Sequence, residues 1–365
     1  MRLRWLKGLL VAGLAAALPG PAVSAETPEP VTLKVVGGLA GVRQFTAFEQ
    51  PFWEREIEAL SGGRIKATIH PFDRSGIRGQ DMLQLMKIGV VPFGNALLAI
   101  AASDTPSLQA LDLPGINPDF ATLRKTIEAY RPKLKATLRE DYNVELLGIY
   151  SYPAQVLFCA RPFDGLQGIG GFKIRTSSLT QSDLVTALGA MPVIIPFNEV
   201  TNAMRRKAVD CAVTGILSGH EIGLTEVATH VHAQALSWGV AVFGANRTAW
   251  ENLPQDVRDT ISISVRMLEE RILRSAEADT ILGFECSRGS PSCSIATARR
   301  QVIVAEEKAS ESVNAHVVRH MVLPQWLERC GDACEAIVAE GLIPALRKVP
   351  TQALSATVTG GGMSD

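Results

Sequence analysis

The stretch from Gly171 to Asp210 constrains the fold of this chain more than any other. Residues 172–175 predict a short β-strand, and residues 181–188 carry apolar side chains at helical spacing until a glycine ends the helix. Residues 191–195 then predict a second strand. A strand, helix and strand so closely coupled form a right-handed βαβ unit, which places binding groups at the carboxyl ends of its strands. Arg175 lies at such an end and is the first candidate for a binding residue.

Strand and helix patterns also alternate along the rest of the chain. Before the central stretch the sequence predicts strands at residues 31–36, 65–70, within 90–100 and at 144–150, and helices at 45–60, 81–88 and 119–139, the last broken at Pro132. After it the sequence predicts a strand at 236–243 centred on Trp238, a turn at 246–253, and helices at 255–281, at 296–321 and within 324–346. This alternation favours an α/β fold.

Residues 1–25 have the composition of an export signal. Basic side chains precede an apolar run at residues 8–18, and a small-residue cleavage site ends at Ala25. The apolar run is too short to cross a bilayer, so cleavage near Ala25 is favoured over an uncleaved anchor. We therefore expect an exported protein.

Composition and motifs exclude several classes of function. A net charge of −1 with 20% charged residues indicates no basic surface for nucleic acid. Residues 215–219 have the wrong spacing for a nucleophile elbow, and no phosphate loop is present. His230-x-His232 could place two imidazoles on one face of a strand, but it lacks a third ligand at useful spacing. We therefore expect no metal, no cofactor and no catalysis.

The cysteines fall into three sets along the chain. Pairing within the second and third sets is the simplest connectivity in an oxidising compartment, although crossed pairing between those sets stays open. The first set lies on neighbouring predicted strands, where a bridge and two buried thiols are equally good interpretations. The sets are Cys159 and Cys211, Cys286 and Cys293, and Cys330 and Cys334.

Six short phrases, taken together and in order, resemble the solute-binding proteins of TRAP transporters. They are Ser61-Gly-Gly-Arg-Ile-Lys, Leu111-Asp-Leu-Pro, Gly171-Phe-Lys-Ile-Arg, Leu188-Gly-Ala, Ile195-Pro-Phe-Asn-Glu-Val and Val209-Asp210. The resemblance covers nearly all of the chain after residue 25. It implies a two-domain periplasmic binding protein with a central cleft, hinge strands and a long helix that spans both domains. It also implies two partners, a small organic acid and an integral-membrane TRAP permease.

The resemblance and the sequence patterns together suggest a division of the chain. The long helix predicted from residue 255, which we assign to the segment 251–281, is the counterpart of the family's spanning helix. The expected segments are a signal peptide (1–25), a first α/β domain (26–150) completed by part of 238–280, a second α/β domain that binds the ligand (151–237), the spanning helix (251–281), C-terminal helices with cysteine loops (282–350) and a tail (351–365).

The resemblance implies that Arg175 grips a carboxylate of the ligand, which the planar guanidinium can bind through two parallel hydrogen bonds. A structural salt bridge to Asp210 or Glu199 is the alternative. Gln155 stands where the family often carries a second arginine, and Thr214 stands where it carries an asparagine. Because Gln155 has no charge, we expect a monocarboxylate as the ligand, with a dicarboxylate as the alternative.

Five further residues complete the predicted site. Phe197 and Trp238 could be walls of the cleft or parts of the core, and Asn198 belongs to the same phrase as Phe197. Gly38 and Arg78 lie in loops after strands of the first domain. Arg78 could replace the charge that is lost at Gln155, or it could be solvated.

Two other functions fit a protein of this kind. A sensor of the same fold would pass its ligand signal to a receptor rather than to a permease. A secreted enzyme would have to turn over the bound acid, and no motif supports it.

Overall fold

The computed structural model describes residues 29–102, 104–341 and 343, so the predicted signal peptide and tail lie outside the described residues. Within these ranges the chain forms eleven strands in two sheets. The strands are β1 (Val31–Gly37), β2 (Ile65–Pro71), β3 (Phe93–Leu97), β4 (Val144–Ser151), β5 (Gln155–Cys159), β6 (Lys173–Thr176), β7 (Met191–Ile194), β8 (Cys211–Gly215), β9 (His230–His232), β10 (Val240–Asn246) and β11 (Val302–Val304).

Helices cover both sheets, and one of them is much longer than the rest. The α-helices are α1 (Ile57–Leu60), α2 (Met82–Lys87), α3 (Leu98–Ala101), α4 (Phe120–Tyr142), α5 (Leu179–Ala187), α6 (Val200–Arg205), α7 (Ile216–Glu221), α8 (Arg247–Glu251), α9 (Gln255–Arg288), α10 (Lys308–Val317), α11 (Leu323–Cys330) and α12 (Asp332–Ala339). Shorter helical segments are Gln44–Glu49, Phe52–Glu56, Phe72–Arg74, Gly79–Asp81, Pro106–Asp112, Leu166–Ile169, Phe197–Glu199, Leu224–Glu226 and Val318–Val322. The predicted α/β class is confirmed.

The two sheets have different topologies. The first has the order β2-β1-β3-β10-β4, with β1 parallel to β2 and β3, and with β10 antiparallel to both of its neighbours. The second has the order β11-β9-β5-β8-β6-β7, in which β6 is parallel to β7 and β8. A strand from late in the sequence, β10, therefore lies between two early strands, and the chain passes more than once between the sheets.

The central stretch forms the strand, helix and strand that the sequence predicts. In β6, Arg175 pairs with Val193 on one side and with Ala212 on the other. The hydroxyl of Ser178 accepts a hydrogen bond from the backbone N–H of Gln181 at 3.2 Å, which caps α5. Arg175 is thus held in the interior of the sheet, between two parallel neighbours.

Helix α9 connects the two sheets, as the long helix was expected to do, and it ends at Arg288 rather than near residue 281. It packs on β4 of the first sheet and on α7 beside the second. At Gly283 an added Cβ would lie 2.8 Å from the backbone nitrogen of Leu217, so only glycine permits this close approach. Next to this contact, His220 Nε2 lies 3.0 Å from both the carbonyl oxygen of Gly283 and the hydroxyl of Ser287.

Three predictions differ from the structure in detail: the break at Pro132, the strand centred on Trp238 and the turn that follows it. Pro132 does not break α4: the helix is continuous, and its apolar face, including Ile127 and Leu134, is fully buried. That burial offsets the roughly 3 kcal/mol that an interior proline costs. The predicted strand centred on Trp238 begins only at Val240, and the predicted turn after it is the helix α8, capped by the side chain of Asn246.

The predicted helix at 296–321 is also wrong. Residues 302–304 form β11, whose Val302 pairs with His230 of β9, and α10 begins only at Lys308. The β-branched sequence Val-Ile-Val suits a strand, and the exposed edge of the second sheet supplies the partner that the sequence alone does not reveal.

All six cysteines form disulfides in the structure. Cys159 and Cys211 face each other on β5 and β8 and form a bridge, which decides between the two interpretations of that set. Cys286–Cys293 and Cys330–Cys334 pair locally, as the simplest connectivity predicts. The crossed alternative is therefore wrong.

We expect the burial of His220 beside α9 to make stability depend on pH. Burial lowers the pKa of His220 from 6.5 to about 4. Between these values the unfolded chain binds a proton that the folded chain does not, so the free energy of unfolding should fall by about 3 kcal/mol as the pH falls from 6.5 to 4. Urea unfolding of wild type and of His220→Gln at pH 7 and pH 4 measures this loss, and the variant should lack it. An equal loss in both proteins would contradict the assignment.

Candidate ligand-binding site

A cleft between the two sheets has an inner and an outer chamber. The inner chamber has a volume of about 40 Å³ and the outer one about 420 Å³. The outer volume lies within the range of small-molecule sites. Five residues line both chambers, which are therefore parts of one cleft: Leu39, Ile100, Arg175, Ser177 and Phe197. Leu39 follows β1 and Ile100 belongs to α3, so both lie beside the first sheet. Arg175 belongs to β6 of the second sheet, Ser177 follows β6, and Phe197 begins the helical segment after β7.

Arg175 lies between the chambers and is 2% exposed. Its Nε donates to the carbonyl oxygen of Ile195 at 2.8 Å, and its Nη1 donates to the carbonyl oxygen of Val213 at 2.6 Å. Among the described residues it forms no ion pair with any acidic side chain. Burial alone lowers the pKa of Arg175 to about 9, so the guanidinium stays charged at neutral pH.

Neither acidic residue named as a structural partner for Arg175 pairs with it. Asp210 accepts the backbone N–H of Lys173 at 2.8 Å. Glu199 lines the outer chamber and forms no ion pair within the described part of the chain. The two carbonyl groups that hold Arg175 come from β8 and from the residue after β7, the neighbours of β6 on either side. The sheet therefore fixes the guanidinium without neutralising it.

Gln155 and Thr214 line the inner chamber from neighbouring strands. The Gln155 amide donates from Nε2 to the carbonyl oxygen of Pro153 at 3.0 Å. Two glycines flank this amide: a Cβ added at Gly215 would lie 3.3 Å from Nε2, and one added at Gly239 would lie 3.2 Å from it. The absence of side chains at both positions leaves room for the amide in the wall of the chamber.

Phe197, Asn198 and Arg78 line the outer chamber. The guanidinium of Arg78 is largely exposed and binds both carboxylate oxygens of Asp81, at 2.7 and 3.0 Å. Its charge is thus already paired outside the inner chamber. Phe197 packs against the core while also forming part of both chambers.

Two predicted site residues lie behind the wall of the cleft. The backbone N–H of Gly38 donates to Glu49 at 2.8 Å, and a Cβ at Gly38 would lie 2.8 Å from the hydroxyl of Tyr152. Trp238 is buried against Phe120, and its indole N–H donates to the carbonyl oxygen of Asn117 at 2.7 Å. Of the two interpretations of Trp238, the structure favours the core.

Sequence reasoning missed Asp112, which lines the inner chamber and is 2% exposed. One carboxylate oxygen, Oδ1, accepts the backbone N–H groups of Trp238 and Gly239, both at 2.8 Å. The other, Oδ2, has no hydrogen-bond partner among the described residues. Burial raises the pKa of Asp112 to about 6. The phrase Leu111-Asp-Leu-Pro contains this residue, but nothing in the sequence indicates that it faces the cleft.

The described residues contain no group of three or more His, Cys, Asp or Glu side chains that could hold a metal ion. His230 bonds to the hydroxyl of Thr229, and His232 bonds to Glu306 at 2.9 Å, so the two imidazoles have separate partners. Over the same residues, no helix has the length and apolar character needed to cross a membrane.

The family model for bacterial extracellular solute-binding proteins, family 7, matches residues 41–280. The chain belongs to this family. Its members are the solute-binding proteins of TRAP transporters, which bind small organic acids, work with membrane permease subunits and are not enzymes. The family is extracytoplasmic. The expected two-domain periplasmic binding fold is therefore confirmed.

Individual relatives are similar but distant. The C4-dicarboxylate-binding periplasmic protein DctP of Rhodobacter capsulatus is 24% identical over 210 residues, which are 56% of this chain and 62% of that protein. The crystal structure of DctP7, a Bordetella pertussis extracytoplasmic solute receptor binding pyroglutamic acid, has a TM-score of 0.74 at 18% identity and covers 87% of this chain and all of its own. A TRAP periplasmic solute-binding protein from Desulfovibrio salexigens with bound orotic acid has a TM-score of 0.74 at 13% identity, covering 86% of this chain and 99% of its own.

The glycines around Gln155 lead to a prediction about stability. Gly239 and Gly62 both have positive φ, 66° and 59°, so replacing either with alanine should cost roughly 1 kcal/mol in backbone strain. Only Gly239→Ala also presses a methyl group on the Gln155 amide, whereas the space around Gly62 is open. Urea unfolding should show a larger loss of stability for Gly239→Ala than for Gly62→Ala. Equal losses would mean that the Gln155 amide moves freely.

Proposed function

We propose that this protein captures an organic acid in the cleft between its sheets, holds the carboxylate through Arg175, and delivers the acid to a TRAP-type membrane permease. One observation carries the proposal. Arg175 is a buried cation that faces the cleft, and among the described residues only neutral carbonyl groups bind it.

The energetics of Arg175 support an anionic ligand. Burying a charge without a counter-ion costs several kcal/mol, because neutral dipoles replace only part of its hydration. The carbonyl oxygens of Ile195 and Val213 occupy two of its five N–H groups, and the remaining three have no acceptor within the residues that the structure describes. A ligand carboxylate would accept these hydrogen bonds and supply the missing negative charge.

The surroundings of Arg175 favour a monocarboxylate. Gln155 offers an amide where a second carboxylate would need a cation, and Arg78 is occupied by Asp81. The relatives named above bind a C4-dicarboxylate, pyroglutamic acid or orotic acid, so distant members of the family differ in ligand. A dicarboxylate would fit this cleft if Arg78 turned away from Asp81 and towards the outer chamber.

Residues from both domains line the cleft, so a bound ligand can contact both of them, as closure requires. Leu39 and Ile100 come from beside the first sheet, and Phe197 comes from the second. A ligand closes two domains only if it makes more contacts in the closed state than in the open one. We propose that the domains correspond to the segments expected from the sequence, with β11 added to the second domain, and that residues 1–25 direct export to the periplasm.

A thermal-shift experiment with matched arginine variants tests the proposal. Pyroglutamate, orotate, lactate and succinate should each be tried on wild type, Arg175→Ala, Arg175→Lys and Arg78→Ala. A bound monocarboxylate at a hundred times its Kd should stabilise wild type and Arg78→Ala by about 2.7 kcal/mol. Arg175→Ala should show no stabilisation, and Arg175→Lys only part of it, because lysine keeps the charge without the planar fork.

Two outcomes would count against this function. If no acid stabilises folded wild type, the cleft does not bind carboxylates. If Arg175→Ala responds as wild type does, the guanidinium has a structural role. Circular dichroism of each ligand-free variant checks that a missing response is not a failure to fold.

A further inference from the structure

Asp112 presents a second charged group to the same inner chamber as Arg175. It ends the helical segment Pro106–Asp112, beside the first sheet, whereas Arg175 belongs to the second. Both line the inner chamber, together with Gln155. Among the described residues no acidic side chain forms an ion pair with Arg175, so its guanidinium and the Asp112 carboxylate are not paired. The chamber therefore has one cationic and one anionic wall.

The two oxygens of the Asp112 carboxylate have different surroundings. Oδ1 accepts two backbone N–H groups and so fixes the chain at Trp238 and Gly239, where it enters β10. An asparagine oxygen would accept these bonds equally well, without the desolvation cost of a buried charge. Burial raises the pKa of Asp112, and the Ser237 hydroxyl lies close enough to the carboxylate to lower that pKa in part. The second oxygen, Oδ2, is nevertheless buried and accepts no hydrogen bond within the described part of the chain. Leaving a buried acceptor without a hydrogen bond destabilises the folded protein. A donor group on the ligand would remove this penalty by bonding to Oδ2.

We propose that Asp112 determines ligand specificity by accepting, through Oδ2, a hydrogen bond from an N–H or O–H group of the bound acid. The ligand class is then an acid that carries a donor besides its carboxylate, such as a hydroxy acid or a lactam acid. This inference rests on the proposed capture of a carboxylate by Arg175. It adds a requirement that a simple carboxylic acid does not meet.

The substitution Asp112→Asn inverts the polarity of this contact without changing its shape. The two backbone N–H groups hold the asparagine oxygen on their own side, which places the amide NH₂ where Oδ2 was. A ligand donor would then face another donor. Asp119→Asn is the matched control, because Asp119 also accepts a backbone N–H, from Thr122 at 2.7 Å, but does so as the cap of α4.

Calorimetric titration with pairs of acids that differ in one donor tests the inference. The pairs are pyroglutamate and its lactone counterpart 5-oxotetrahydrofuran-2-carboxylate, lactate and propionate, and 3-hydroxybenzoate and benzoate. For at least one pair, wild type and Asp119→Asn should bind the donor-bearing acid at least about tenfold more tightly. Asp112→Asn should lose or reverse that preference while still binding the other member of the pair. A purely structural role would weaken both members equally.

The outcomes separate this inference from the function on which it rests. If wild type binds acids without preferring donors, or if Asp112→Asn keeps the preference, the role of Asp112 is overturned and carboxylate capture stands. If wild type binds none of the six acids, carboxylate capture fails and the inference fails with it. Melting temperatures of the ligand-free variants show whether Asp112→Asn stays folded at the titration temperature.

Discussion

The cleft is organised around one guanidinium that, within the described residues, is buried without a counter-ion. Arg175 is held by carbonyl groups from both neighbours of β6, and these groups fix its direction but leave its charge uncompensated. In the low-dielectric interior this arrangement is tolerable only where the sheet is rigid and an anion can approach from the cleft. The close strand, helix and strand around Arg175 supply that rigidity, and the opening between the two sheets supplies the approach.

A long helix and a late strand link the two walls of the cleft, although the two sheets remain separate. Helix α9 packs on β4 and, through Gly283, on α7, while β10 completes the first sheet after the chain has already built most of the second. Asp112 joins this linkage, because it holds the backbone at Trp238 and Gly239 directly before β10. A ligand between Arg175 and Asp112 would therefore touch both walls close to the connections on which their relative motion depends.

The parts that the sequence could predict are those governed by neighbouring residues. The βαβ unit, the long helix and the two local disulfides all follow from short-range patterns. The place of Arg175 in the βαβ unit follows from the same patterns, whereas its binding role was implied by the resemblance and stays a prediction. The errors arise where distant segments meet. Strand β11 exists because β9 offers an edge, and α4 continues through Pro132 because its buried face outweighs one missing hydrogen bond. Asp112 could not be found in this way, since its role depends on backbone groups more than a hundred residues later in the chain.

The Cys159–Cys211 bridge joins the two strands that carry Gln155 and Thr214. A one-residue slip between paired strands would turn every side chain to the opposite face, and a covalent link in register prevents such a slip. The two positions can therefore accept new side chains without risk to the alignment of the strands. Under the proposed function, single substitutions at these two positions could change the ligand while the bridge keeps the strands aligned, so the bridge would favour adaptability as well as stability.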